Sequence, residues 1–113
     1  MGVDRADGPR SGADLVSRIR AGDRRAEEEL VGRYGRGVAI IIRREVRQAA
    51  AAADLTQETL RIALEKIRRG DLREPEKLSG FICGLARNLA IGHHRRSSRE
   101  ESLTGVEAVR PPR

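Results

Sequence analysis

The sequence predicts an all-α fold, a small bundle of about four helices. Three observations carry this. Apolar residues recur at three- and four-residue intervals along most of the chain, the spacing of helices that bury one face. The breaks between these runs are helix punctuation, Gly22-Asp23 and Gly70, rather than hairpin turns. The one strand-like run, Ile40-Ile41-Ile42, continues into REVRQAAAAA, whose Ala, Arg and Gln are good helix formers.

With 113 residues the chain makes one domain plus tails. Residues 1–13 hold three Gly, a Pro and scattered charge and read as a disordered leader. Asp14 is a candidate N-cap for a first helix with Leu15, Val16 and Ile19. Asp23 can cap a second run in which Ala26, Leu30 and Tyr34 are spaced i, i+4, i+8, widened by Val31 and Val38. Gly35 and Gly37 are expected to loosen the chain before a third run, Val38 to Ala53, with Ile41, Ile42, Val46 and Ala49 on its apolar side. Asp54 with Gln57 forms a capping-box pattern opening the helix Asp54–Arg69, whose buried stripe is Leu60, Ala63, Leu64 and Ile67. This helix is acidic at its start and basic at its end, as the helix dipole favours. Gly70 stops it, and the loop Gly70–Lys77 leads to a last helix, Leu78–Arg96. There Leu78, Ile82, Leu85 and Leu89 form the expected buried stripe, with Phe81 beside them. Residues 97–113 lack sustained periodicity, end in a Pro-Pro-Arg run, and read as a linker or tail.

Net charge is +6 and the sequence pI about 10.8. Of 23 basic residues only Lys66 and Lys77 are lysine; the rest are Arg, which suits bidentate phosphate and base contacts. Nucleic acid is the usual partner of such a chain. The single cysteine, Cys83, excludes an intramolecular disulfide. No apolar run reaches membrane-spanning length and no signal peptide opens the chain, so a cytoplasmic location without membrane contact is expected. Tyr34 and Phe81 are the only aromatics, which leaves Leu, Ile, Val and Ala to build the core.

Phosphate loops, zinc spacings and nucleophile elbows are absent, and His93-His94, about 100° apart on a helix, cannot face one metal. The chain therefore reads as a binding protein without cofactor or metal, not an enzyme. Three sets of residues are candidates. Asp54, Gln57, Glu58 and Arg61 share the outer side of one helix. The loop Gly70, Asp71, Leu72, Arg73, Glu74 through Lys77 can form a pocket. Asn88 and Arg95 lie on a flank of the last helix, about 60–120° round from its apolar stripe, and Arg96 belongs to its basic end. An amide that can read a base edge thus stands about two turns from a guanidinium that can hold a phosphate.

The order and spacing of these pieces resemble domain 2 of bacterial sigma factors, in particular the extracytoplasmic-function group. DLVSRIRAGDRRAEEELVGRY (residues 14–34) resembles that family's first conserved stretch. DLTQETLRIAL (residues 54–64) resembles its Asp-Leu-x-Gln-Glu helix. LSGFICGLARNLAIGHHRR (residues 78–96) resembles its Phe-x-x-Trp-Leu-x-x-Ile-Ala-Arg-Asn-x-x-x-Asp-x-x-Arg-Arg stretch, with Leu78, Phe81 and Gly92 in place of the Phe, the Trp and the Asp. The resemblance implies that Asp54, Gln57 and Glu58 dock on the coiled coil of the RNA polymerase β′ subunit. It implies that the loop Gly70–Lys77 and Asn88 capture an unstacked base of the promoter −10 element, with Arg95 and Arg96 on the backbone. A second domain reading the −35 element is not matched. Two other readings stand beside this one. A sigma-like decoy would bind an anti-sigma factor and leave promoters alone. A duplex-binding helical regulator would want a three- to four-residue turn between two helices, and the eight-residue loop before Leu78 argues against it.

Overall fold

The computed structural model describes residues 11–108, with side chains through residue 100. Most of the expected leader lies outside that range. Four α-helices, and no strand among the described residues, make the bundle: α1 (Gly12–Arg20), α2 (Arg24–Glu45), α3 (Ala49–Arg68) and α4 (Leu78–Ala108), with a 3₁₀ turn at Pro75–Lys77. The all-α class is as expected, while several boundaries are not.

The first helix starts two residues before Asp14. Ser11 is its N-cap, and its hydroxyl accepts from the Asp14 amide at 3.1 Å. Asp23 caps α2 as expected, accepting from the Arg25 and Ala26 amides. Between these helices Gly22 takes φ +89°, which only glycine adopts cheaply. Gly35 and Gly37 do not interrupt α2. The row Leu30, Tyr34, Val38 and Ile42 crosses them without a break, and packing of that row outweighs the weak helix propensity of two glycines. Val31, expected to widen the row, is exposed instead.

The break comes eleven residues after Gly35. Val46 leaves the helix with extended torsions, φ −119° and ψ 112°, and is buried. The next helix begins at Ala49, so the expected run Val38–Ala53 is two helices rather than one, and Ala49 is exposed. Asp54 is therefore not an N-cap. It sits more than one turn inside α3, exposed, and Gln48 at the cap position makes no side-chain hydrogen bond. The Ala-rich stretch simply joins the helix that Asp54 was expected to start.

On α4 the fully buried row is Leu78, Ile82, Ala86 and Ala90, not Leu78, Ile82, Leu85 and Leu89. Leu85, Leu89 and Phe81 are half-buried at its flanks. Alanines at the contact let the helix axes approach, and the larger leucines fill the sides. The helix also runs on through Ala108, beyond the expected end at Arg96, while residues 109–113 lie outside the described range. No residue from Ile91 to Glu100 is buried, so the bundle ends at Ala90.

These rows meet in one aliphatic core. Leu15, Ile19, Leu30, Ile42, Ile67, Leu78 and Ile82 are its largest fully buried members, and each such side chain contributes about 1.5–3 kcal/mol on leaving water. Thr59 is fully buried among them. Its hydroxyl donates to the Leu55 carbonyl at 2.7 Å, so its methyl can face the core at no polar cost. The Tyr34 and Ser79 hydroxyls meet at 3.1 Å, fixing the first turn of α4 beside the middle of α2. Arg18 of α1 contacts Asp14, Asp23 and Glu29, which ties α1 to the N-terminal half of α2. Beyond α1, α2 packs on both α3 and α4, and Val38, Ile42, Ile82, Ala86 and Ala90 belong to the same core.

Asp23 supplies a pH handle. The hydrogen bond from Arg18 is the main reason its carboxyl titrates below the usual range, and the Ala26 and Arg25 amides act in the same direction. A depressed native pKa gives stability that is present above the unfolded value of about 3.9 and is lost as pH falls through the native value. Asp23→Asn is expected to keep the cap yet flatten the acid limb of stability against pH. Thermal melts between about pH 5 and pH 2 check this.

Candidate functional site

Each candidate set depends on which face its helix leaves to solvent. On α3 the core takes Leu60, Ala63 and Ile67, which turns Asp54, Gln57 and Arg61 outward, with Glu58 half-exposed beside them. Arg61 is bracketed by Glu58 at 2.7 Å and Glu65 at 3.0 Å. Glu58, and then Glu65, hold its guanidinium above its ordinary pKa. The ladder is stiffened by these i, i+3 and i, i+4 pairs, and the face Asp54, Glu58, Arg61 and Glu65 keeps an excess of carboxylates. The four predicted residues thus do form one surface.

The loop is tightly held. Gly70 takes φ +81°, and its amide and that of Asp71 return to the Ile67 and Lys66 carbonyls, closing α3. Asp71 pairs with Arg69 at 3.1 Å, and Glu74 with Lys77 at 3.2 Å. Arg73 is exposed. Leu72 corrects the predicted set: it is 6% exposed and belongs to the core, so its side chain anchors the loop and is not available to a ligand. Arg20, which the sequence reading passed over, fixes the loop from α1. Its guanidinium donates to the Leu72 carbonyl at 2.9 Å and the Ile67 carbonyl at 3.4 Å. Gly12 lets α1 approach the other end, since a Cβ there would stand 3.3 Å from the Pro75 carbonyl and from Leu78 Cβ.

On α4, Asn88 is exposed, as are Arg95 and Arg96. Asn88 and Arg95 lie within about 20° of each other on the helix wheel, two turns apart. Arg99, also exposed, continues that row by another turn. The i, i+7, i+11 spacing was its signal, hidden by the expectation that the helix ends at Arg96. The Arg96 guanidinium lies over Gly92, 3.6 Å from where a Cβ would be. Asn88 stands ten residues into α4, about 15 Å along the axis from the loop's junction at Leu78. Loop and amide therefore share a helix but are separated by roughly three turns.

The sigma-70 region 2 family model matches residues 30–100. The chain belongs to the sigma-70 region 2 family. The matched stretch runs from Leu30 of α2 through α3, the loop and α4 as far as Glu100, and so contains every residue of the three candidate sets. A search of the curated proteins and of the solved structures found no match. Sigma region 2 works with core RNA polymerase and with promoter DNA, and it is not an enzyme family. Within this region 2 domain, α1 lies outside the matched stretch, yet it supplies Arg20, the residue that holds the loop. No helix among the described residues is long and apolar enough to cross a membrane.

Proposed function

We propose that the chain acts as domain 2 of a sigma factor of the extracytoplasmic-function group, docking on the β′ coiled coil through α3 and reading the promoter −10 element through α4. One observation carries this reading. The same domain exposes a carboxylate-rich ladder on α3 and, on a different helix, an amide in line with Arg95. Asp54, Gln57 and Glu58 would meet polymerase, with Arg61 orienting Glu58. Asn88 would hydrogen-bond an extruded base, since its amide offers donors and an acceptor side by side. Arg95 and Arg96 would hold phosphates, and Gly70, Asp71, Arg73, Glu74 and Lys77 would border the nucleotide. Residues 14–96 would form the working domain, with the leader and tail outside it, and the protein would act in the cytoplasm.

Asn88→Ala is expected to leave the melting temperature unchanged and to lower the preference for a −10 non-template oligonucleotide over a scrambled one by about tenfold or more, the worth of a good base contact. Fluorescence anisotropy measures both affinities. A variant that discriminates as well as the parent removes Asn88 from the reading role.

A second reading has one observation in its favour. Tyr34 is engaged with Ser79 and Phe81 is half-buried at the core's edge, so neither aromatic stands free to stack a base. A sigma-like module bound only by an anti-sigma factor would need no such stacking. The same oligonucleotides separate the two readings, because that module binds them weakly, with strong salt dependence and without sequence preference.

A further inference from the structure

The charges of α2 are divided along its length. Residues 24–32 carry Arg24 and Arg25 against Glu27, Glu28 and Glu29, whereas residues 33–47 carry five arginines against Glu45 alone. On the helix wheel Arg33, Arg36, Ile40, Arg43 and Arg44 fall within about 100°, on the side opposite the buried Val38 and Ile42. Arg47 follows in the turn after the helix and is exposed.

Partnering separates these arginines from those that brace the fold. Arg18, Arg61, Arg68 and Arg69 each pair with a carboxylate within 3.3 Å, and Arg20 bonds to two carbonyls. Among the described residues, Arg36, Arg43, Arg44 and Arg47 have no ion pair and are exposed. Four unpaired guanidinium groups carried along one stretch of the chain repel one another, and an anionic partner relieves that repulsion.

We propose that this face of α2 binds the sugar–phosphate backbone of duplex DNA without regard to sequence, as a surface distinct from the Asn88 row. The chemistry of the patch selects that partner. Guanidinium forks match phosphate bidentately. The face carries no aromatic residue, so it cannot stack the bases of a single strand as strand-binding grooves do. Its one exposed aliphatic, Ile40, is too little to anchor an acidic protein helix, which needs a row of apolar contacts. The surface would hold paired DNA flanking the melted element while α4 handles the opened strand. The inference rests on the reading of the chain as a promoter-binding domain, and the two are tested separately.

The test uses the 113-residue chain and a duplex of about 20 base pairs without any −10 sequence. Arg36, Arg43, Arg44 and Arg47 are replaced together by Gln, and anisotropy is recorded over a range of salt. Loss of four phosphate contacts is expected to make the slope of log K against log[salt] shallower by about 3–4, since each contact contributes about 0.9. Arg43→Gln with Arg44→Gln alone is expected to give about half that change and serves if the fourfold variant folds poorly. Affinity for a single-stranded oligonucleotide is expected to stay within about twofold. An unchanged duplex slope overturns the proposal. So does an equal loss on single strands, or competition by polyglutamate as effective as by duplex of the same charge, which marks an acidic-protein surface. If the −10 reading fails instead, the Asn88 variant shows it while this duplex result stands.

Discussion

Asp54→Arg combined with Glu58→Arg is expected to weaken association with the β′ coiled coil by on the order of 100-fold or more, with little change in melting temperature. Asp54, Glu58, Arg61 and Glu65 give the α3 face two excess negative charges, and the double reversal turns this into two excess positive ones. Like charges set opposite each other across an interface cost several kcal/mol, enough for that factor. The fold is insulated because both residues lie on the solvent side of α3, and the Glu58–Arg61 pair lost is a surface pair of the kind that contributes little to stability. Titrating an isolated coiled-coil fragment of β′ against each variant measures the effect. Parental affinity in the double variant would remove this face from polymerase binding.

The largest stability effect is expected at Ile42. It is fully buried in the C-terminal half of α2, a helix that packs on both α3 and α4. Ile42→Ala is expected to cost about 2–5 kcal/mol, from lost transfer energy plus an unfilled cavity. In a domain of this size the whole stability is on the order of 5–10 kcal/mol, so the melting temperature should fall by roughly 10 °C or more. Ile40, two residues away and half-exposed, is the internal control: Ile40→Ala should change stability by no more than about 0.5 kcal/mol. Equal effects at the two positions would mean that α2 presents a different face to the core.

The candidate residues were legible because local rules govern them. Asp54, Gln57, Glu58 and Arg61 occur at three- and four-residue spacing, and any helix through them puts them on one side, whether it starts at Asp54 or at Ala49. Asn88 and Arg95 align for the same reason. Leu72 was misassigned because a leucine in a polar, Gly- and Pro-bounded stretch reads as part of a loop surface, and only the tertiary packing of the core buries it. Arg20 was passed over because its partners are carbonyls 47 and 52 residues away, which no local pattern announces.

What the sequence determined by itself was the helical class, the glycine stops at Gly22 and Gly70, and the outward faces of the candidate residues, since all follow from periodicity and from torsions that only glycine takes cheaply. What the tertiary structure decided was where the long helices divide and which α4 residues they bury. Val46 leaves the helix without a Gly or Pro to force it, because burying its side chain against the neighbouring helices outweighs the helix propensity around it. Ala86 and Ala90 displace Leu85 and Leu89 from the core because close approach of two helices favours the smaller side chain, a preference that exists only once there is a second helix to approach.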